Sequence, residues 1–458
     1  MKFKFWHTLF TVLACLAGVQ NALAQGLSFT TNTYPVGSGP YLALGDLNGD
    51  GRLDVITGNF NTNTLTILTN NGSGGFGFFA TLTVGKEPGT PLAADVNGDG
   101  KVGIFAENYG ANTITVLTNN GSGNLGSNAT LVVGSGPQNI VAVDVNNDGK
   151  LDLICANYTS SGTLTVYTNN GSGGFGSNAT LNVGSYPPWV CAADINGDGF
   201  VDLITTSYKG SNANTLTVLT NNGHGSFGFN ASLPVGKEPI CVIAADVNGD
   251  GKPDLICANN GTNTLTVLTN NGSGVFGFNA TLTVNGSPIF VTAADLNGDG
   301  KLDLITANGG TFVGIDPGTT HTLSILTNNG SGNFGSNATV NVGNGVDCVL
   351  AADLNGDGKP DLVAANFNDN TVTVLLNTNN FPSATNTPLI VIKVQGKNAR
   401  VSWPSVSSGW SLTETPDLPR TDWLPSGYDG EIIADDGTNK SITLPSSIDN
   451  RFFRLLHP

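Results

Sequence analysis

The sequence predicts an all-β fold: a closed ring of seven four-stranded blades, a β-propeller, followed by a small β-sandwich. Three observations predict it. First, the string Asp-x-Asn-x-Asp-Gly-x-x-Asp, with Gly in place of the last Asp in the second copy, begins at Asp46, Asp95, Asp144, Asp194, Asp246, Asp295 and Asp353, at spacings of 49, 49, 50, 52, 49 and 58 residues. Second, a block such as Thr264-Leu-Thr-Val-Leu-Thr-Asn-Asn-Gly-Ser-Gly recurs from Thr64, Thr113, Thr163, Thr215, Thr264 and Thr322. Third, each unit holds four short apolar runs and no segment carries a 3.6-residue period. Repeats of about 50 residues with four strands each are the pattern of propeller blades.

The elements follow in order. Lys2 and Lys4 precede the apolar run Leu9 to Val19, which ends in Ala22-Leu23-Ala24. That is the layout of a secretory signal over 1–24, with cleavage leaving Gln25 first. The run is shorter than the ~20 apolar residues of a membrane span. A lipoprotein reading through Cys15 is weakened by the bulky Leu13 two residues before it. The chain is therefore expected outside the cell, secreted or on the surface.

The propeller is assigned to 25–382. In the fifth unit, Ile240 to Ala245 is an apolar run, the acidic loop follows, and Leu255 to Ala258 is the second strand. Leu265 and Val267 alternate with threonines at period 2, Asn270 to Gly274 is turn material, and Ala280 to Val284 is the last strand. The seventh unit supplies only three strands, Val349 to Ala352, Leu362 to Ala365 and Thr371 to Leu376. The segment from Gly26 to Gly37 resembles the missing fourth, so the N-terminal strand is expected to complete the last blade and leave no open edge. A linker at 383–387 leads to 388–458, where Trp403, Trp410 and Trp423 sit among short strand-like runs that suit a compact β-sandwich.

Composition limits the function. The 458 residues hold 34 acidic and 18 basic groups, for a net charge of −16, yet only 11% are charged against roughly 25% in an ordinary soluble chain. Nucleic-acid binding needs a basic face, which this balance denies. Five cysteines follow the leader: Cys155, Cys191, Cys241, Cys257 and Cys348. All lie in apolar runs and read as buried small hydrophobes, although Cys241 and Cys257 flank one hairpin and could pair.

Each acidic loop offers oxygen donors at positions 1, 3, 5 and 9, a carbonyl at position 7 and a turn-permitting Gly at 6. The sets are Asp46, Asn48, Asp50, Arg52 and Asp54; Asp95, Asn97, Asp99 and Lys101; Asp144, Asn146, Asp148, Lys150 and Asp152; Asp194, Asn196, Asp198, Phe200 and Asp202; Asp246, Asn248, Asp250, Lys252 and Asp254; Asp295, Asn297, Asp299, Lys301 and Asp303; and Asp353, Asn355, Asp357, Lys359 and Asp361. Hard oxygens around a tight turn suit Ca²⁺. In the second set Gly103 replaces the ninth-position Asp, so that site is expected to be weakest or empty: six to seven structural ions in all. A helix-flanked calcium loop would need an acidic residue at position 12, where Thr57, Ala106, Cys155, Thr205, Cys257, Thr306 and Ala364 stand instead. The rival is a metal-free turn in which Asp and Asn bond their own backbone.

The repeats resemble the FG-GAP family, also described as VCBS-type or integrin-alpha-like propeller repeats. The Phe-Gly elements are Phe76-Gly77, Phe175-Gly176, Phe227-Gly228, Phe276-Gly277 and Phe334-Gly335, with Leu125-Gly126 a variant. The resemblance implies a seven-bladed propeller with the same calcium ligands. The tail, with Val401-Ser402-Trp403 and Phe453-Arg454-Leu455, resembles fibronectin-III-like C-terminal modules.

Outside the loops, the acidic residues of the propeller are Glu87, Glu107, Glu238, Asp316, Asp347 and Asp369. No nucleophile elbow, zinc helix or phosphate loop appears. The longest unit carries an insertion from Gly309 to His321 between its second and third strands. Loops there share a face with the blade-to-blade connections, and Tyr158, Tyr186, Trp189, Tyr208, Phe312, Asp316 and His321 are the candidate ligand residues. These aromatics either stack on a sugar or anchor a protein partner, or fill the blade interfaces. The expectation is a non-catalytic binding or adhesion protein for an extracellular protein or glycan. A propeller-scaffold polysaccharide lyase or hydrolase, using Glu107 or Asp316 with His321 and Lys209, is the alternative, and a purely structural surface protein a third.

Overall fold

In the computed structural model of the protein, the described residues are 27–210, 212–310 and 321–379, together with seven short strands between 391 and 456. The leader, the linker and most of the insertion, with Phe312 and Asp316, lie outside them.

Seven four-stranded antiparallel sheets follow one another along the chain. In blade 1 the strands are Pro40–Gly45, Asp54–Asn59, Thr64–Asn70 and Phe76–Thr83. The first strand of each blade touches that of the next, and blade 7 returns to blade 1, so the first strands ring a central axis. Phe29–Pro35 pairs with Thr371–Asn377 as the outer strand of blade 7, in the unbroken register Phe29↔Asn377 to Pro35↔Thr371. The predicted closure is present.

Burial explains the strand sequences. The second strand is wholly buried in all seven blades, because each of its faces meets a neighbouring blade. Ile56 and Ile104 share one such interface; Leu153 and Phe105 share the next. A fully buried Leu or Ile contributes roughly 1.5–3 kcal/mol, and every blade repeats several. The outer strand faces solvent on one side, so it alternates exposed and half-buried residues.

The outer strand begins earlier than the sequence suggested. In blade 5 it runs Phe276–Thr283 rather than from Ala280, so Phe-Gly opens the strand. A bulge follows: Val267 pairs with Ala280 and Leu268 with Phe278, skipping Asn279. Blades 1–6 all carry this bulge, which the closing strand lacks. The Asn-Asn-Gly-Ser-Gly turn before it is held by its second Asn: Asn71 Oδ1 accepts the Ser73 and Gly75 amides.

Cys241 and Cys257 do not pair. Cys257 lies opposite Val242 in the ladder, which puts Cys241 on the other face of the sheet. All five cysteines are free, and burial pushes the Cys191 thiol up to about 11.

The chain divides between Asn379 and Asn380 into two compact units. The second holds a four-stranded sheet, including Val391–Gln395 and Asn398–Pro404, and a three-stranded sheet, including Ser411–Thr415 and Phe452–Leu456. Whether they stack as a sandwich turns on residues outside those described. Among the described residues no helix is long and apolar enough to cross a membrane.

Candidate functional site

The seven acidic loops connect the first and second strands and so lie at one end of the ring. Their backbone is tied by their own side chains. The first-position carboxylate accepts the amide of the sixth-position Gly at 2.7–2.9 Å in every loop. The fifth-position carboxylate accepts the seventh amide at 2.9–3.1 Å. Gly51 sits at φ +82, with open space where a Cβ would be, so conformation rather than room requires glycine there. Asn147, where other loops have Gly, also adopts a left-handed φ of 60, which Asn tolerates.

The ninth residue does something else. Asp54, Asp152, Asp202, Asp254, Asp303 and Asp361 are fully buried. One carboxylate oxygen accepts the position-2 amide of its own loop (Leu47, Val145, Ile195, Val247, Leu296 or Leu354) at 3.0–3.2 Å. The other accepts the amide of the last residue of the third strand (Asn70, Asn169, Asn221, Asn270, Asn328 or Asn377) at 2.7–2.9 Å. Burial raises the pKa of each of these carboxyls, the two amides oppose the rise, and the neighbouring loop carboxylates add to it. Asp303 is pushed up to about 7. In the second loop Gly103 leaves both amides without this acceptor, and a Cβ there would meet Leu117 O at 2.4 Å and Val96 Cγ2 at 2.6 Å.

Those strand-end asparagines also sew the ring together. Asn70, Asn119, Asn169, Asn221, Asn270, Asn328 and Asn377 each donate from Nδ2 to the eighth-position carbonyl of their own loop. From the same nitrogen each donates to the second-position carbonyl of the preceding blade's loop. Asn70 reaches back to Leu354 of blade 7, so the circuit is complete.

The donor set fits a hard cation. It is all oxygen, and each ninth-position oxygen has a lone pair beyond the one its amide uses. Yet among the described residues no three Asp, Glu, His or Cys side chains converge as a formed metal cage. The ninth carboxylate faces inward, and the loop's own cations partly neutralise the fifth. Arg52, Lys101, Lys150, Lys252 and Lys359 lie 3.4–4.0 Å from Asp50, Asp99, Asp148, Asp250 and Asp357. Position 7, expected to contribute only its carbonyl, thus also carries a counter-charge. Lys301 instead donates to Asn329 O, and Phe200 lies close to Gly223.

The opposite end carries the blade connections. There the residue after the second strand bonds the preceding connection in six blades: Asn260 N to Glu238 O in blade 5, and in five others Phe60 N to Gly39 O, Tyr109 N to Glu87 O, Tyr158 N to Gly136 O, Tyr208 N to Tyr186 O and Phe367 N to Gly345 O. The last five are aromatic, and rings gather around them. Tyr41 meets Phe367 at 5.7 Å and Phe60 at 6.2 Å; Phe60 meets Tyr109 at 6.2 Å; Tyr158 meets Tyr186 at 5.2 Å and Tyr208 at 6.1 Å. Sequence reasoning named Tyr158, Tyr186 and Tyr208 but missed Tyr41, Phe60, Tyr109 and Phe367. Aligning the residue after the second-strand Asn or Ser would have found three of those four.

Packing claims part of this set. Tyr208 is 5% exposed. Trp189 stacks edge-on against Phe290 at 5.2 Å and packs into two blade interfaces. His321 Nδ1 accepts the Gly345 amide. Glu107 replaces the Gly58 or Ala156 of other blades. It is fully buried with neither carboxyl oxygen hydrogen-bonded, and burial raises its pKa well above the ordinary value. The Glu107 and Thr90 amides lower it somewhat without normal hydrogen-bond geometry. Glu107, Lys209 and His321, which an enzyme reading would bring together, sit in blades 2, 4 and 6.

A closed ring of seven repeats, each with an oxygen-rich acidic loop sewn to its neighbour, defines a repeat propeller with one candidate cation loop per blade. The FG-GAP-like repeat matches residues 46–106, 95–155, 144–205, 194–257, 246–306 and 311–364, and the FG-GAP repeat 288–326. These matches span more than half of the chain, which belongs to the FG-GAP-like repeat family. Among curated proteins none matches this chain in sequence. Among solved structures it is similar to BBS1N in complex with ARL6DN, at 11% identity and a TM-score of 0.55, covering 79% of this chain and 98% of that one. It is also similar to a protein from Lactobacillus plantarum, at 16% identity and a TM-score of 0.51, covering 68% and 86%. At these identities the likeness is one of fold.

Proposed function

We propose that this protein is an exported, calcium-stabilised propeller that binds an extracellular protein or glycan through its connection face and catalyses no reaction. The observation that carries the reading is the division of labour between the two ends. Twenty of the 34 acidic residues belong to the acidic loops, where ion binding would neutralise their mutual repulsion. Bound ions would also fix the loop carbonyls that receive the next blade's asparagine, so metal binding and ring closure support one another. The aromatic residues gather at the other end.

Few titratable groups are left for catalysis. Glu107 is sealed inside a blade interface, and Asp347, which burial raises to about 7, is in blade 7. The test is to probe the full chain against arrays of glycans and extracellular-matrix proteins, with calcium and with EGTA. The reading expects a hit that needs calcium and is lost on Tyr186→Ala. No ligand in either condition would leave only a structural role, and turnover of a bound polysaccharide would favour the enzyme.

A further inference from the structure

One groove on the connection face departs from the charge pattern of the rest. In the propeller the cations are Arg52, Lys101, Lys150, Lys252, Lys301 and Lys359, all at position 7 of an acidic loop, plus Lys86, Lys209 and Lys237. Lys86 pairs with Glu87 at 3.2 Å. The same Gly-Lys-Glu-Pro segment recurs at 236–239, but there Glu238 lies beside the Tyr208 hydroxyl and no ion pair with Lys237 is formed. Lys237 is left without a carboxylate partner among the described residues, as is Lys209. Lys209 Nζ is held 4.6 Å over the Tyr208 ring, a cation–π contact that orders its ammonium. Both lysines are exposed.

The two lysines line one groove of about 340 Å³ with Tyr208, Asn214, Glu238 and Gly261. A side chain at Gly261 would press on Lys237 and Glu238, at 3.1 and 3.2 Å. Glu238 holds a left-handed φ of 53, as Glu87 of blade 2 does at 56, where blades 1, 3 and 7 use Gly39, Gly136 and Gly345; what sets Glu238 apart is that its neighbouring lysine is not paired to it. Its amide is anchored by Asn214 Oδ1 at 3.2 Å. A disfavoured backbone thus presents a carboxylate beside two unpaired cations.

We propose that this groove binds an acidic sugar, the hexuronate unit of an anionic polysaccharide. The carboxylate of the sugar sits between Lys209 and Lys237, and its hydroxyls donate to Glu238 and meet Asn214. A bare anion would be repelled by Glu238, and a neutral sugar would leave both ammoniums unused. A hydroxylated carboxylate satisfies every group. Tyr158 and Tyr186, half-buried alongside, offer ring surface for the adjoining unit. The inference rests on the connection face being the ligand end.

The test is calorimetry on the full chain in excess calcium. The probes are tetramers of galacturonate, glucuronate and mannuronate, the methyl ester of each, and inorganic sulfate. At least one acid should bind about tenfold or more tighter than its ester, since hydrogen bonds to charged groups are worth about that much. Lys237→Gln and Lys209→Gln should each weaken it about tenfold with the melting temperature unchanged, and added salt should weaken it further. No binding by any acid, equal binding by the esters, full displacement by sulfate, or insensitivity to both lysine variants would overturn the proposal. A neutral glycan or protein that is lost on Tyr186→Ala but unaffected by the lysine variants would keep the connection face as the ligand end and remove the acidic sugar alone.

Discussion

The ninth residue of the acidic loop joins two elements that the sequence shows only as neighbours of an apolar run. Asp254 accepts buried amides from Val247 and Asn270. Asp254→Ala should leave both without a partner and cost about 3 kcal/mol by chemical denaturation in EGTA, where no bound ion contributes. Glu107 is the opposite case, a buried carboxyl with no hydrogen bond. Its folded pKa is raised, so the folded state holds a proton that the unfolded chain gives up above about pH 4.3. Stability should therefore fall as pH climbs from there toward the folded pKa. Glu107→Gln removes that slope: its advantage over the wild type should be small near pH 4 and grow by up to about 1.4 kcal/mol per pH unit above it. Denaturation curves at pH 4.5, 6 and 7.5 check this, and a constant difference would contradict it.

At the scale of elements, most of the propeller was legible. The repeat set the number of blades, and the missing fourth strand of unit seven foretold the closing strand Phe29–Pro35. The bulge was not legible. One skipped residue per outer strand leaves the period-2 pattern intact on either side, so the predicted last strand began only at Ala280 and left out Phe276 to Asn279. The asparagine at the end of each third strand was visible seven times over, but its role was not. The carbonyl it reaches is 72 residues back from Asn119 and 284 positions away from Asn70, a partner that only ring geometry supplies. Asn328→Ala should cost about 2 kcal/mol, because it frees two carbonyls, Leu302 O and Val247 O, one in each of two blades. Coupling across the interface predicts that Asn328→Ala and Asp254→Ala are non-additive in a double-mutant cycle.

At the scale of the whole molecule, the charge takes on a different meaning. Losing Lys2 and Lys4 with the leader would take the net charge from −16 to −18. Seven divalent ions would then bring it to −4 and six to −6. On the proposed reading, acidity that looks like a surface field would be a set of loops neutralised by counter-ions, partly met already by their own Arg52 and lysines. The candidate loops were fully legible in the sequence. That the ninth carboxylate turns inward was not, because one of its two partner amides belongs to the end of the third strand. Each ion bound at a hundred times its dissociation constant adds about 2.7 kcal/mol. Transfer from 1 mM calcium to EGTA should therefore lower the melting temperature by on the order of 10 °C or more, with the thiols still free.

The most direct test is the number of ions the folded chain holds. Native mass spectrometry of the mature protein after calcium loading should show six tightly held Ca²⁺ and a seventh, weaker one assigned to the loop of Asp95. Asp254→Ala should remove one of the six. A folded chain that carries no calcium, or one or two ions whatever the loop sequence, would contradict the account and leave the acidic loops as metal-free turns.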